Sequence, residues 1–443
     1  MRKILHIILL HFVTCLGIGA ERPNIIIILA DEVRWCDLIP MPERRNIPTP
    51  NLDRLAAEGM RFTQAYVCSS WCSPSRAGLL TGRYPQRFGH EFNPNQRGAK
   101  PTWGLDMRER TMADVLRTAG YSTAMYGKWH LGLADEMTPN ARGFDEWYGF
   151  RNGEHNYLRS TDNLGPIEHN GTPIEFSGHL TEFLARQAAA FIQKNREQPF
   201  FIYAPLNEIH RPYQAPDKFR AMVESAKLEP GTKLIAASLC ALDAAVGIIL
   251  DAVRDAHLDE RTLVVFTSDN GRPSDEHIMP WDTLRGGREQ MWEGGIRVPF
   301  FARWKGAIAE GSEYHHPISH LDLMATVSVL ADASPDRQRS LDGRNLAGVL
   351  KGLEKGPVRE EFYFRIGETW AFRFREHKLI MPFGAKHPEL YDIPNDPGES
   401  QDLALAHPEI VRQLQARYDA LSKQMVAPAW PYPPGAKALL RRQ

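Results

Sequence analysis

Asn24–Ala30 reads NIIIILA and runs directly into Asp31-Glu32. No polar residue alternates with the apolar ones, so neither side of this strand is meant for water, which is the pattern of a central strand covered on both faces. Residues 262–267 (TLVVFT) have the same texture and lead to Asp269, and residues 200–204 form a third such run, followed by a loop that contains His210. In open α/β sheets ligands bind at the carboxyl ends of strands, so two runs that end in carboxylates indicate one shared site. Helical periodicity lies between them, over 51–58, 112–119, 180–194 and 234–254. This alternation predicts a layered α/β/α domain over 21–350. Beyond it the texture changes to short strand-like pieces at 361–365, 370–374 and 378–381 and an amphipathic helix at 409–423. That predicts a smaller C-terminal α+β subdomain over 351–443, with a small antiparallel sheet, a helix and a Pro-rich tail after Met425.

Residues 1–20 carry Arg2 and Lys3, an apolar run from Ile4 to Ile18 interrupted by His6, His11 and Thr14, and a small-residue end at Gly19-Ala20. This reads as a cleavable signal peptide and predicts a secreted or periplasmic protein. No later stretch reads as long and apolar enough to cross a bilayer, so no membrane span is expected. Removal of the signal leaves Cys36, Cys68, Cys72 and Cys240, too few and too scattered for a disulfide scaffold. The Asn170-Gly171-Thr172 sequon matters only in a eukaryotic secretory route, and together these features lean towards a bacterial periplasm. Lys and Arg (53) balance Asp and Glu (54), so no overall field draws the chain to nucleic acid or anionic lipid.

The chemistry centres on Cys72-Ser73-Pro74-Ser75-Arg76. Ser73 suits an N-cap and Pro74 a first helical position, which sets Cys72 at a helix N-terminus where exposed amides and the dipole favour an anion. Arg76 adds a fixed positive charge one turn on. Alone, such a cysteine is more often an inert buried thiol. The longer stretch CSPSRAGLLTGR, from Cys72 to Arg83, resembles the signature of the formylglycine-dependent type I sulfatases, arylsulfatase-like members of the alkaline phosphatase superfamily. More of that family's pattern follows in order: Leu29-Ala30-Asp31, Gly127-Lys128-Trp129-His130-Leu131-Gly132, Ser268-Asp269-Asn270-Gly271, Trp292-Glu293-Gly294-Gly295-Ile296-Arg297-Val298-Pro299, and Glu389-Leu390-Tyr391-Asp392 with Asn395-Asp396-Pro397-Gly398-Glu399.

The resemblance implies an alkaline-phosphatase-like α/β/α sandwich around a large mixed, mostly parallel sheet, and a sulfuric ester hydrolase. It implies oxidation of Cys72 to formylglycine (3-oxoalanine) by a formylglycine-generating maturation enzyme, and a divalent cation, Ca2+ or alternatively Mg2+, on Asp31, Glu32, the modified Cys72, Asp269 and Asn270. One hydroxyl of the hydrated aldehyde attacks sulfur while Asp269 takes its proton, and His210 protonates the leaving alcohol. His130 deprotonates the second hydroxyl, which expels sulfate from the formylglycine–sulfate intermediate, while Lys128 and Arg76 stabilise the oxygens. Two positions depart from the family pattern. Glu32 stands where a second aspartate is usual, and its longer side chain is free to reach the ion, shift it or point elsewhere. Arg288, in Leu284-Arg285-Gly286-Gly287-Arg288, replaces a lysine with a planar fork that stabilises charge but cannot act as an acid.

Candidate substrate contacts follow the motifs: His90, Glu91 and Asn93, then Arg151, Asn152, His155 and Tyr157, with solvent-facing loop positions the alternative. Polar and aromatic groups suit a sulfated carbohydrate, such as a glycosaminoglycan or algal polysaccharide fragment. Two competing readings are a phosphodiester or phosphonate monoester hydrolase of the same superfamily, and a catalytically silent glycan-binding protein.

Overall fold

The computed structural model describes residues 22–38, 47–94, 102–274, 279–335 and 339–432, so the signal-peptide reading of 1–20 lies outside the described residues. Ten strands form the central sheet: β1 Asn24–Ala30, β2 Met60–Phe62, β3 Ser122–Lys128, β4 Glu146–Phe150, β5 Glu168–His169, β6 Thr172–Pro173, β7 Phe200–Pro205, β8 Thr262–Ser268, β9 Phe300–Arg303 and β10 Ser312–Tyr314, in the spatial order 10-2-9-8-1-7-3-4-5-6. The central strands β8, β1, β7, β3 and β4 are mutually parallel, and antiparallel pairs lie towards both edges. The sheet is mixed and mostly parallel at its centre, as expected.

β1 shows why its sequence has no alternation. Ile26, Ile28 and Ala30 face one apolar layer, which includes α4 (Leu180–Lys194) and α5 (Pro230–Asp255) together with α1 (Pro50–Ala57). Ile25, Ile27 and Leu29 face the other, with residues of α2 (Cys72–Thr81) and α3 (Met112–Thr118). Both faces of β1 are therefore dry, and the fold is the expected three-layer α/β/α sandwich. The helix α5 corrects one expectation: by length and composition it is apolar enough to cross a membrane. Its apolar window is mostly buried inside the protein, packed on α1 and α4, so a core position accounts for the composition.

The C-terminal part is a four-stranded antiparallel sheet, β11 Glu361–Ile366, β12 Thr369–Phe374, β13 His377–Met381 and β14 Glu389–Asp392, backed by α6 Pro408–Ser422. β14 is the strand that the sequence reading absorbed into a motif. On the helix side Tyr418 stacks on Trp370, with ring centroids 4.0 Å apart. The opposite side, Phe362, Phe364, Ala371 and Ile380, packs on Tyr66, Trp71, Trp292 and Ile296 of the main body.

A buried ionic knot crosses this seam. Lys378 Nζ lies 3.0 Å from Glu293 and 2.7 Å from Glu399, and the Glu293 N–H donates to the other Glu399 oxygen at 2.7 Å. Burial pushes the Glu399 carboxyl up to about 7, with Glu293 adding to the effect and Lys378 opposing it. A carboxyl raised by folding contributes stability that is complete below its unfolded pKa and lost as pH rises through the folded one. The wild-type protein is therefore expected to lose on the order of 1–3 kcal/mol more than Glu399→Gln between about pH 5 and pH 8. Urea midpoints across that range measure the difference, and parallel curves would remove Glu399 as the cause.

Candidate active site

The parallel register of β1 and β8 sets Ala30 opposite Ser268, so Asp31 and Asp269 leave the sheet side by side, and the Asp269 N–H donates to the Ala30 carbonyl at 3.0 Å. Asp31 is pinned from the β7 side as well: its N–H donates to Glu208 O and the Ile209 N–H to its carbonyl, both at 2.7 Å. β3 delivers Lys128. Gly127 has φ 140°, and a Cβ there would lie 2.0 Å from the Pro205 carbonyl oxygen, so only glycine lets the chain pass at this point.

α2 begins at Cys72, after an extended Trp71, and no side chain caps it. Ser73 is not the cap expected from the sequence. It lies in the first turn, where its hydroxyl donates to the His130 carbonyl and sits beside His90 Nε2, both at 2.6 Å. Asn93 Oδ1 instead accepts from the Ser73 N–H at 2.9 Å, so a neighbouring loop satisfies one of the helix's unpaired amides. Every residue of α2 is buried, which is why the helix shows no amphipathic pattern.

Around Cys72 the charges interlock. Lys128 Nζ donates to Asp31 Oδ2 at 2.6 Å. Arg76 donates through Nε and Nη2 to Asp269 Oδ2 at 2.9 and 2.7 Å, lies 3.3 Å from Asp31 Oδ2, and donates to the Lys128 carbonyl at 3.1 Å. Burial works against the Lys128 ammonium, but Asp31, with Cys72 and Asp269, outweighs it and holds the lysine pKa above its ordinary value. Burial, with Asp31, holds the Asp269 carboxyl above its ordinary value despite Arg76 and Lys128. The Cys72 sulfur is 3.9 Å from Asp31 Oδ1. Burial pushes its thiol up strongly and the surrounding carboxylates add to this against Lys128, so an unmodified Cys72 stays protonated and is a poor nucleophile.

His130 is fully buried with φ 60°, and neither ring nitrogen has a hydrogen-bond partner. Burial, then Lys128 and Arg76, holds its pKa far below the ordinary value, so the imidazole is neutral. Glu32 also has a positive φ, 66°. Such backbones cost about 1–3 kcal/mol each and persist only where the surroundings impose them. Glu32 Oε1 pairs with Arg288 Nη1 and lies 3.5 Å from His210 Nε2. Burial opposes its ionisation, yet Arg288 and His210 hold the carboxyl below its ordinary value. His210 Nδ1 is 2.7 Å from the Arg211 carbonyl, which can only accept, so the proton sits on Nδ1 and Nε2 faces Glu32 and Arg288.

The structure thus gathers Asp31, Glu32, Cys72, Arg76, Lys128, His130, His210, Asp269, Asn270 and Arg288 at one sheet end. Asp31, Cys72 and Asp269 offer ligand atoms within 4.8 Å of one another, as do Asp31, Glu32 and His210. Asn270 Oδ1 and Glu32 Oε2 are buried without hydrogen-bond partners beside them. An oxygen-rich set with two orphaned acceptors fits a hard divalent cation.

The proposed substrate contacts separate. His90 is fully buried behind α2, and burial lowers its pKa to about 3. Both Glu91 oxygens are held by Arg365 of β11, at 3.0 and 2.8 Å, so Glu91 ties the C-terminal sheet to the main body. Arg151 is engaged by Glu168 and Asp135 at 2.9 Å each, His155 is buried against the Asn156 and Gly165 carbonyls, and the buried Tyr157 hydroxyl contacts the Asn207 and His210 carbonyls. Asn152 donates to the Leu164 carbonyl. His90, Glu91, His155 and Tyr157 are thus buried and engaged within the protein instead of facing solvent, and Asn93 serves the helix start. The sequence reading also missed Glu208, which positions Asp31. The strand-end rule was a usable signal, because Glu208 follows β7.

A family model described as Sulfatase matches residues 23–333. The chain is 33% identical to human N-acetylgalactosamine-6-sulfatase over 401 residues, covering 82% of this chain and 73% of that protein. It is 33% identical to human arylsulfatase A over 456 residues, covering 89% and 87%. Among solved structures, Ps i-CgsB in complex with k-i-k-neocarrahexaose superposes with a TM-score of 0.87 at 31% identity, covering 95% of this chain and 97% of that one.

Proposed function

The chain belongs to the sulfatase family, and from that premise we propose that it removes sulfate from a sulfated carbohydrate, using a formylglycine made from Cys72 and a bound calcium ion. The observation that carries this reading is the state of Cys72: a thiol kept protonated at a helix N-terminus, between the Asp31–Lys128 and Asp269–Arg76 pairs. Such a side chain gains a useful nucleophile only by modification. Its burial, at 2% exposure, supports modification by a maturation enzyme before the chain closes around α2. The carbohydrate is supported by the relatives, one named for N-acetylgalactosamine 6-sulfate and one complexed with an oligosaccharide. The sequence of residues 1–20 supports a secreted or periplasmic place of action.

When formed, the hydrated formylglycine supplies two hydroxyls on one carbon. A divalent ion, when bound by Asp31, Asp269, Asn270 and the modified Cys72, supplies positive charge where Asp31, Glu32 and Asp269 otherwise balance Arg76, Lys128 and Arg288. Glu32 is committed to Arg288 through Oε1 and has Oε2 left for the ion. Asp269 Oδ1, which Arg76 leaves to the Glu32 amide, is placed to take the proton of an attacking hydroxyl. Lys128 and Arg76 hold the developing negative charge. His130, neutral and unpartnered, suits the base for the second hydroxyl. A guanidinium does not give up its proton, so Arg288 serves as a charge clamp and leaving-group protonation falls to His210 beside it, which must carry a proton on Nε2 as well as Nδ1 for this step.

The test is sulfate release from N-acetylgalactosamine 6-sulfate, k-i-k-neocarrahexaose and 4-nitrophenyl sulfate, against matched phosphate and phosphonate esters, before and after chelation. Carbohydrate desulfation is expected, falling at least about tenfold on chelation and restored by Ca2+. Faster turnover of the phosphorus esters would transfer the site to the hydrolase alternative. Glycan binding without turnover by protein carrying formylglycine would make the chain a silent binder.

A further inference from the structure

We infer that the C-terminal tail builds a sugar-binding subsite next to the nucleophile, an aromatic pocket that takes an uncharged ring of the oligosaccharide adjoining the sulfated one. This rests on the sulfatase reading and adds to it where the chain beyond the sulfate is held.

Tail residues up to Tyr432 are fixed to the main body. The Val426 N–H donates to the Gln86 carbonyl at 3.0 Å and the Ala429 N–H to the Gly89 carbonyl at 2.9 Å, while Arg365 donates to the Val426 carbonyl at 3.0 Å. The tail therefore lies along the loop that supplies His90 and Asn93 to the start of α2. Trp430 meets His90 edge-on with centroids 4.8 Å apart, and Tyr432 packs against Phe92 at 4.6 Å and Trp71 at 5.7 Å. Trp71 is the residue before Cys72, so the tail's aromatic rings pack on the segment that carries the reacting position. Gly367, at the β11–β12 turn, keeps this contact open: a Cβ there would fall 3.1 Å from the Tyr432 ring.

Between the tail and the hairpin turns lies a cavity of about 490 Å3, walled by Phe92, Phe383, Trp430 and Tyr432 and edged by Glu368. That volume is within the range of small-molecule sites, roughly 300–1,000 Å3. Trp430 is 5% exposed, and its Nε1 and the Tyr432 hydroxyl are buried with no partner within the protein. Buried polar atoms of this kind are rare unless something else satisfies them. Flat apolar faces together with a few hydrogen-bonding groups are what a pyranose presents a complement to, since its C–H face is apolar and its hydroxyls ring the edge. Glu368, exposed at the turn, is the only charged one among the described residues around the cavity, and its carboxylate would repel a sulfate and favour an uncharged ring.

The experiment compares Tyr432→Ala, Tyr432→Phe and wild type on k-i-k-neocarrahexaose and 4-nitrophenyl sulfate. Tyr432→Ala is expected to lower kcat/KM on an oligosaccharide roughly tenfold to a hundredfold more than on the aryl ester, chiefly through KM, and Tyr432→Phe, which keeps the ring, by much less. Equal losses on both substrate types, or no loss on either, would overturn the subsite. Calorimetric titration of k-i-k-neocarrahexaose into Cys72→Ala protein, with and without Tyr432→Ala, reads the subsite without turnover. About tenfold weaker binding is expected in the double variant, and equal affinities or no binding to either protein would overturn it. Absence of aryl sulfate turnover by wild type would instead strike the sulfatase reading, and the titration would still decide the subsite.

Discussion

Replacing Cys72 with alanine is expected to lower kcat by about 10^4-fold or more, because the substitution removes the only atom that can become the nucleophile. The fold should survive. Cys72 is buried, but its sulfur makes a single long contact to Asp31 and leaves the paired charges around it intact. Losing one buried sulfur costs at most about 1–2 kcal/mol. Thermal unfolding measured beside turnover separates the two effects, and substantial residual sulfate release by well-folded Cys72→Ala protein would remove Cys72 from the chemistry. The same comparison with mass spectrometry of the peptide around residue 72 shows whether wild-type activity tracks the aldehyde content.

Asp269→Ala is expected to act on stability and activity together. Asp269 and Arg76 are both fully buried, and removing the carboxylate leaves Arg76 with Asp31 at 3.3 Å and one backbone carbonyl. Breaking one side of a buried pair costs about 3–5 kcal/mol, and the retained Asp31 contact argues for the lower end. Loss of the proton acceptor and of a cation ligand should lower turnover by about 10^3-fold or more. Asp269→Asn separates the two roles, because an amide oxygen still accepts from Arg76 but carries no charge and is a poor base. Asparagine should recover part of the urea midpoint and almost none of the turnover. Recovery of both would mean that Asp269 only positions Arg76.

How much of this was legible beforehand depended on whether a residue's role is set by its neighbours in the chain or by distant ones. The dry runs at 24–30 and 262–267 announce central strands because burial on both faces excludes polar residues throughout, and the acidic residues after them mark the sheet end where the site lies. α6 and its amphipathic stripe, and the helix Leu180–Lys194, follow from periodicity in the same way. Ser73 misled because capping was judged from the local run alone. The hydroxyl was drawn instead to His130 and His90, and the amide to Asn93, three partners that reach it only through folding. Likewise α5 looked unlike a membrane helix in the sequence and resembles one by composition, because a helix covered on most of its circumference by protein has no need of a polar face.

The sequence by itself determined the layered class, the order of the motifs and a helix start close to Cys72, since each rests on short-range pattern or on covalent identity. Only the tertiary structure decided which charge meets which. It gives Arg288 to Glu32 across 256 positions of the chain, and Glu91 to Arg365 across 274. It also lays the tail's aromatic rings beside Trp71. Such partners are selected by the packing of the sheet ends and by the high cost of leaving a charge buried alone, and neither is written in any local stretch of residues.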